Sequence, residues 1–123
     1  MVCLSFVVRA DTITSSNMLT YTEVDTTTNN GTPVLIGTAY IPTAPTFIIS
    51  SGGLSATNAL VVYIQYGLDT NTFSTVATYT QSTTNAQDGT ITPSGISLSI
   101  YAQTQVVTTN AVNVGTKAIF VTP

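Results

Sequence analysis

Histidine and tryptophan are absent from this chain, cysteine occurs once, and only two residues are basic. Each shortage closes a class of function. Without imidazole the commonest general base and the commonest zinc ligand are both missing. The thiol of Cys3 then has no imidazole to activate it as a nucleophile. Cys3 sits in an apolar, strand-like run and reads as a small buried or partly buried side chain. One cysteine cannot close an internal disulfide and says nothing firm about redox compartment. A small β domain without such staples relies on its core, its partners, or both. Arg9 and Lys117 stand against five acids, for a net charge of −3. Nucleic-acid binding rests on Lys and Arg neutralising phosphates, so it is excluded for the isolated chain. Anionic membrane surfaces are disfavoured for the same reason.

Long hydrophobic runs are missing too. None approaches the roughly 18 residues that cross a bilayer as a helix. The opening "MVCLSFVVRA" has no basic start and is broken by Ser5, which argues against a secretory leader. Its alternation of Val2, Leu4, Phe6 and Val8 reads as a strand. We expect a soluble chain with no cleaved leader.

What is present points to β structure. Charged residues are only 6% of the chain, yet hydrophobic ones are 43%. Disordered chains show the opposite balance. Thr makes up about a fifth of the residues and, being β-branched and polar, suits strand faces that meet water. Glu, Lys and Arg, which favour surface helices, are nearly gone. The length of 123 residues fits one domain.

The period is two almost throughout. "LVVYIQY" places Leu60, Val62, Ile64 and Tyr66 on one face; "ISLSIYAQ" does the same for Ile96, Leu98, Ile100 and Ala102. Leu60, Val62, Ile64, Ile96, Leu98 and Ile100 are therefore expected in the core. Further strands are expected at "MLTYTEV", "PVLIGTAYI", "TFIIS", "TFSTVATYT", "TQVVTT" and "TKAIFVT". "NNGTP", "YGLDTNT", "NAQDGT" and "PSG" separate them as turn-formers, with Asn30-Gly31 and Asp88-Gly89 able to supply positive φ angles. The segment "IPTAP" (Ile41 to Pro45) reads as a stiff connection. "ALVVYIQYGLDTNTFSTVATYTQS" is a hairpin whose second strand exposes hydroxyls in place of charges. Short strands at this spacing read as an antiparallel β-sandwich, immunoglobulin-like or, as second choice, a jelly roll. We expect a single domain over residues 1–123, with residues 1–45 an N-terminal arm or added strands and 46–123 the sandwich core.

Sites of chemistry are few. Glu23 and Asp25 share a face if "TYTEVDT" is a strand, and paired carboxylates can serve glycoside hydrolysis. A solvated strand end is the preferred reading. Asp69 and Asn71 alternate as in a calcium loop, but the further acids of that pattern are missing, so an Asx-type turn is preferred. Asp88 falls to the same turn explanation, and Asp11 carries no motif. Asn30-Gly31-Thr32 matches a glycosylation sequon, with a turn the preferred reading. Gly52-Gly53 in "SSGGLS" lacks the lysine and helix of a phosphate loop. We expect no enzymatic activity: no catalytic, cofactor-binding or metal-ligating residues, and no cofactor.

The stretch "NALVVYIQYGLDTNTFSTVATYTQSTTNAQDGTITPSGISLSIYAQTQVVTTNAVNVGTKAIFVTP", Asn58 to Pro123, resembles the small β-sandwich modules of tailed-phage structural proteins. These include head decoration (auxiliary capsid) proteins and immunoglobulin-like virion domains. The likeness lies in the strand–"GLDTNTFSTVATY"–strand unit, the uncharged Thr/Asn/Gly-rich composition, and the terminal "NVGTKAIFVT" strand. It implies a non-enzymatic virion structural protein on the capsid surface. It also implies contact with a major capsid protein or another virion protein, as a homo-oligomer or multi-copy array. Apolar residues on both faces of Ala59 to Tyr66 and Lys117 to Val121 agree with burial under such a partner. The alternative is a carbohydrate- or receptor-binding module of a phage fibre or bacterial surface, suggested by six Tyr residues and abundant amides. The lack of Trp weakens it.

Overall fold

Burial alternates residue by residue along Thr46–Ser51, residues 60–66 and Tyr101–Thr108, as a period of two requires. The computed structural model of the chain describes residues 12–25, 28–37, 45–57, 59–94 and 100–122. These form β1 (Thr12–Val24), β2 (Asn29–Asn30), β3 (Val34–Leu35), β4 (Thr46–Ser51), β5 (Leu60–Gly67), β6 (Ser74–Thr80), β7 (Gln87–Ile91), β8 (Tyr101–Thr108) and β9 (Val112–Thr122). No helix occurs among the described residues. All pairings are antiparallel. One sheet runs β1-β9-β4-β7, and the other β2-β8-β5-β6 with β3 also on β8.

β2 and β3 are one interrupted edge strand. From Asn30 to Val34 the chain advances four residues while its partner goes from Gln105 to Ala102, three. The extra residue is a bulge holding Gly31 to Pro33, and an edge bulge is where a strand accepts proline. Counted so, the sandwich has eight strands. The first and last pair with each other, and every connection but β5–β6 crosses between sheets. That order is the jelly roll, the second of the two topologies expected; an immunoglobulin order would pair the first strand with the second.

The core lies between the sheets. Phe47, Ile49, Leu60, Val62, Ile64, Val106, Val114 and Ala118 are fully enclosed, with Met18, Val24 and Ile36 supplied from residues 12–36. Phe47 and Tyr66 meet across it with ring centroids 6.2 Å apart. Of the expected core, Leu60, Val62 and Ile64 are buried. Ile100 is half-buried and precedes β8 instead of lying within a strand, and Ile96 and Leu98 lie outside the described residues. "ISLSIYAQ" and "TQVVTT" are not two strands over their described parts: Tyr101 to Thr108 is continuous.

Two glycines expected in tight turns lie along sheets instead. Asn30-Gly31 runs along β8, with the Gly31 N–H donating to the Thr104 carbonyl at 2.7 Å. Asp88-Gly89 sits inside β7, opposite Ser50 and Ile49. Gly89 is needed there because any Cβ would fall within the phenol ring of Tyr79, which reaches over from β6 in the other sheet. Glycine marks a close approach as readily as a turn.

The sandwich's open sides are closed by specific contacts. On one side the Thr32 N–H donates to the Met18 carbonyl at 2.7 Å, tying the β2–β3 bulge to β1. On the other, Gln87 Nε2 donates to the Tyr79 hydroxyl at 3.1 Å. Beside it the fully buried Gln81 accepts from the Ser51 hydroxyl and donates to the Asn85 carbonyl at 3.0 Å. A buried amide is tolerated because its polar atoms are satisfied.

Candidate interaction faces

Glu23 is exposed on β1 opposite Asn113, and Asp25 is exposed just beyond the strand, its carbonyl accepting from the Thr108 hydroxyl at 2.7 Å. Asp69 lies in the β5–β6 connection. Its Oδ1 accepts the Asn71 and Thr72 backbone N–H groups, both at 2.8 Å, so it is an Asx-type turn. Those two donors hold its carboxyl below the usual range. No group of three or more His, Cys, Asp or Glu side chains able to hold a metal occurs among the described residues. Cys3, Arg9 and Asp11 lie outside them.

The two outward faces differ sharply in chemistry. Among the described residues, every charge carried on a strand belongs to the four-stranded sheet: Glu23 on β1, Asp88 on β7 and Lys117 on β9. Among the described residues, no strand of the five-stranded sheet contains a charged residue.

The outer face of the four-stranded sheet carries an apolar diagonal. Ile13 on β1 is 74% exposed. Ile119 on β9 lies between Ser15 and Thr46, and Ile48 on β4 lies opposite Lys117; both are half-buried. Beside this diagonal β1 bulges twice against β9, between Asn17 and Leu19 and between Leu19 and Thr22. Gly115 admits the second bulge, since a Cβ there would stand 3.1 Å from the Tyr21 backbone. The distortion opens a groove of about 350 Å³ lined by Asn17, Leu19, Tyr21, Ile48 and Lys117, among others. Lys117 is the one basic residue among the described residues.

The outer face of the five-stranded sheet carries amides, hydroxyls and two tyrosines, with Val61 opposite Val107 at one end and the exposed Leu35 beside Tyr101 at the other. Gln105 Nε2 donates to Asn30 Oδ1 at 3.2 Å, joining β8 to β2. Gln103 Nε2 donates to Gln65 Oε1 at 2.7 Å, and Gln65 Nε2 to the Thr75 hydroxyl at 3.3 Å, so that chain crosses β8, β5 and β6. Tyr63 lies opposite Gln105 and Thr78, and Tyr101 opposite Leu35 and Gly67; both rings are half-buried. Sequence reasoning missed this ladder because its members lie up to 75 residues apart.

No protein-family model and no curated protein matches the sequence. Solved structures do match in fold. A chain in the structure of infectious bursal disease virus Gx strain superposes with a TM-score of 0.58 at 9% identity, over 98% of this chain. This chain spans 36% of that one. The SPBc2 prophage-derived protein YomS superposes with a TM-score of 0.51 at 10% identity, over 94% of this chain and 99% of YomS. At such identity the likeness is one of fold.

Proposed function

We propose that this chain is a non-enzymatic structural protein of a virus particle: a phage-type capsid decoration protein held in many copies on the outside of a protein shell. The observation that carries the reading is the apolar diagonal Ile13–Ile119–Ile48, set beside the β1 groove on the outer face of the four-stranded sheet. A central strand of a two-layer sandwich needs apolar residues on its inner face only, so Ile119 and Ile48 are surplus to the core. Apolar surface ringed by a few charges, here Lys117, Asp88 and Glu23, is the composition of a protein contact. The fold shared with a chain of a virus structure and with a prophage-derived protein supports a virus particle as its setting, by fold-level analogy. Many weak copies on one shell gain avidity, so each contact can be modest.

The test is binding of the purified chain to purified particles stripped of it, followed by cryo-microscopy and native mass measurement. The wild-type chain binds in many copies with the four-stranded sheet facing the shell. Ile119→Ser and Ile48→Ser abolish binding while leaving the melting temperature within a few degrees. A chain that stays monomeric and ignores the shells, or variants that bind as well as wild type, would overturn the assignment.

A further inference from the structure

We propose that the outer face of the five-stranded sheet is a binding platform for a neutral polysaccharide, laid across Tyr63, the Gln65–Gln103 amide pair and Tyr101. Among the described residues the charges carried on strands, Glu23, Asp88 and Lys117, all belong to the other sheet. Among the described residues the strands of the five-stranded sheet carry none, so they offer no cation to a phosphate, a sulfate or a uronate.

What the face offers is a matched set of donors and acceptors. In the row Gln103–Gln65–Thr75 the amides already bond head to tail, which holds their planes in place. Each primary amide has two N–H donors and a carbonyl with two lone pairs, so capacity remains on both sides of every bond. Sugar hydroxyls both donate and accept, and such a row can answer them without the desolvation penalty of a charge. Tyr63 and Tyr101 add apolar ring surface with a polar tip, the aromatic contact on which the apolar face of a sugar ring can rest. On the register, Tyr101 stands four residues along β8 from Gln105, the partner of Tyr63. At about 3.4 Å per residue and about 4.8 Å between strands, the two tyrosines are about 14 Å apart with the amide pair between them. That span suits a short run of sugar rings, not a single one. This face is opposite to the one assigned to shell contact, so both can be occupied together.

The experiment is affinity gel electrophoresis of the full chain in dextran, mannan and laminarin, with heparin and polygalacturonate as charged controls, then calorimetric titration with any polymer that retards it. Retardation is expected in at least one neutral polymer and in neither charged one. Tyr63→Ala and Tyr101→Ala are expected to weaken binding by about tenfold each, the scale of one aromatic contact. Gln103→Glu, nearly the same size, replaces an amide by a carboxylate and is expected to abolish it. Lys117→Gln, on the opposite face, leaves binding unchanged. Far-ultraviolet spectra and melts establish that each variant is folded, and Gln103→Glu carries the test if a tyrosine variant is not. Failure of every neutral polymer to retard the chain, retardation by the charged polymers alone, or binding indifferent to Tyr63→Ala, Tyr101→Ala and Gln103→Glu would overturn the proposal.

Discussion

The buried hydroxyl pair that joins the two sheets makes a sharp test of the core. Thr104 on β8 and Thr116 on β9 face each other across the sandwich, their Oγ1 atoms 2.6 Å apart. Thr104 is 0% exposed and Thr116 is 3% exposed, so neither hydroxyl can turn to water. Thr104 is also fixed from its other side, because its Oγ1 lies under Gly31, where a Cβ would stand only 2.8 Å away. Thr104→Val keeps the shape and removes the partner. The hydroxyl left on Thr116 then stays buried and unsatisfied, at about 1–3 kcal/mol, partly offset by about 0.8 kcal/mol for the extra buried methyl. Thr116→Val behaves alike. Each single change should destabilise the chain by about 1–2 kcal/mol, whereas the double change removes both polar groups and should return near or above wild-type stability. The coupling from the cycle is then about 2–4 kcal/mol in magnitude. Urea unfolding of the four proteins measures it, with unchanged slopes showing that the denatured state is not the cause. Two neutral single variants with an additive double variant would refute the hydrogen-bonded pair as the reason for threonine at both positions.

Other outcomes follow from single contacts. Gly89→Ala should destabilise by about 1–3 kcal/mol through overpacking, because the new methyl displaces the Tyr79 ring and its bond with Gln87; a Tyr79→Ala background should relieve most of the effect in thermal melts. Burial pushes the Tyr66 phenol up to about 12 from 10.0. The unfolded chain therefore ionises first as pH rises, and stability falls between those two values; ultraviolet titration of tyrosinate should find one late phenol that Tyr66→Phe removes. Asp69→Ala should speed hydrogen exchange at the Asn71 and Thr72 amides, which its carboxylate now accepts. Because those donors lower its pKa, the wild-type loop should keep its protection as pH falls through the normal carboxylate range and lose it only below.

How much of this could be read from residue order depends on distance along the chain. Leu60, Val62 and Ile64 were legible because alternation is local: each residue's face is set by the one before it. The Asp69 turn was legible too, since its partners are two and three residues away. Asn30-Gly31 and Asp88-Gly89 misled because the signal for a tight turn is also local, whereas the groups that need glycine come from afar. For Gly31 they are Thr104 and Met18, and for Gly89 the ring of Tyr79. The amide platform was illegible for the same reason: Gln65 and Gln103 are 38 residues apart and meet only because β5 and β8 are neighbours.

By itself, then, the sequence determined an all-β sandwich of low charge. Period-two alternation selects strands, and an apolar fraction of 43% requires a buried layer between them. It determined as well that this chain itself supplies no imidazole. Which strand lies beside which was decided only in three dimensions. Alternation states which way a side chain points but not what it meets, and both an immunoglobulin order and a jelly roll satisfy the same pattern of inward faces. Long-range closures chose between them: β1 with β9, the β2–β3 bulge over Thr104, and Tyr79 across Gly89. Among the described residues, the same choice put the strand charges on one sheet and none on the other, and so gave the two sheets different outer faces.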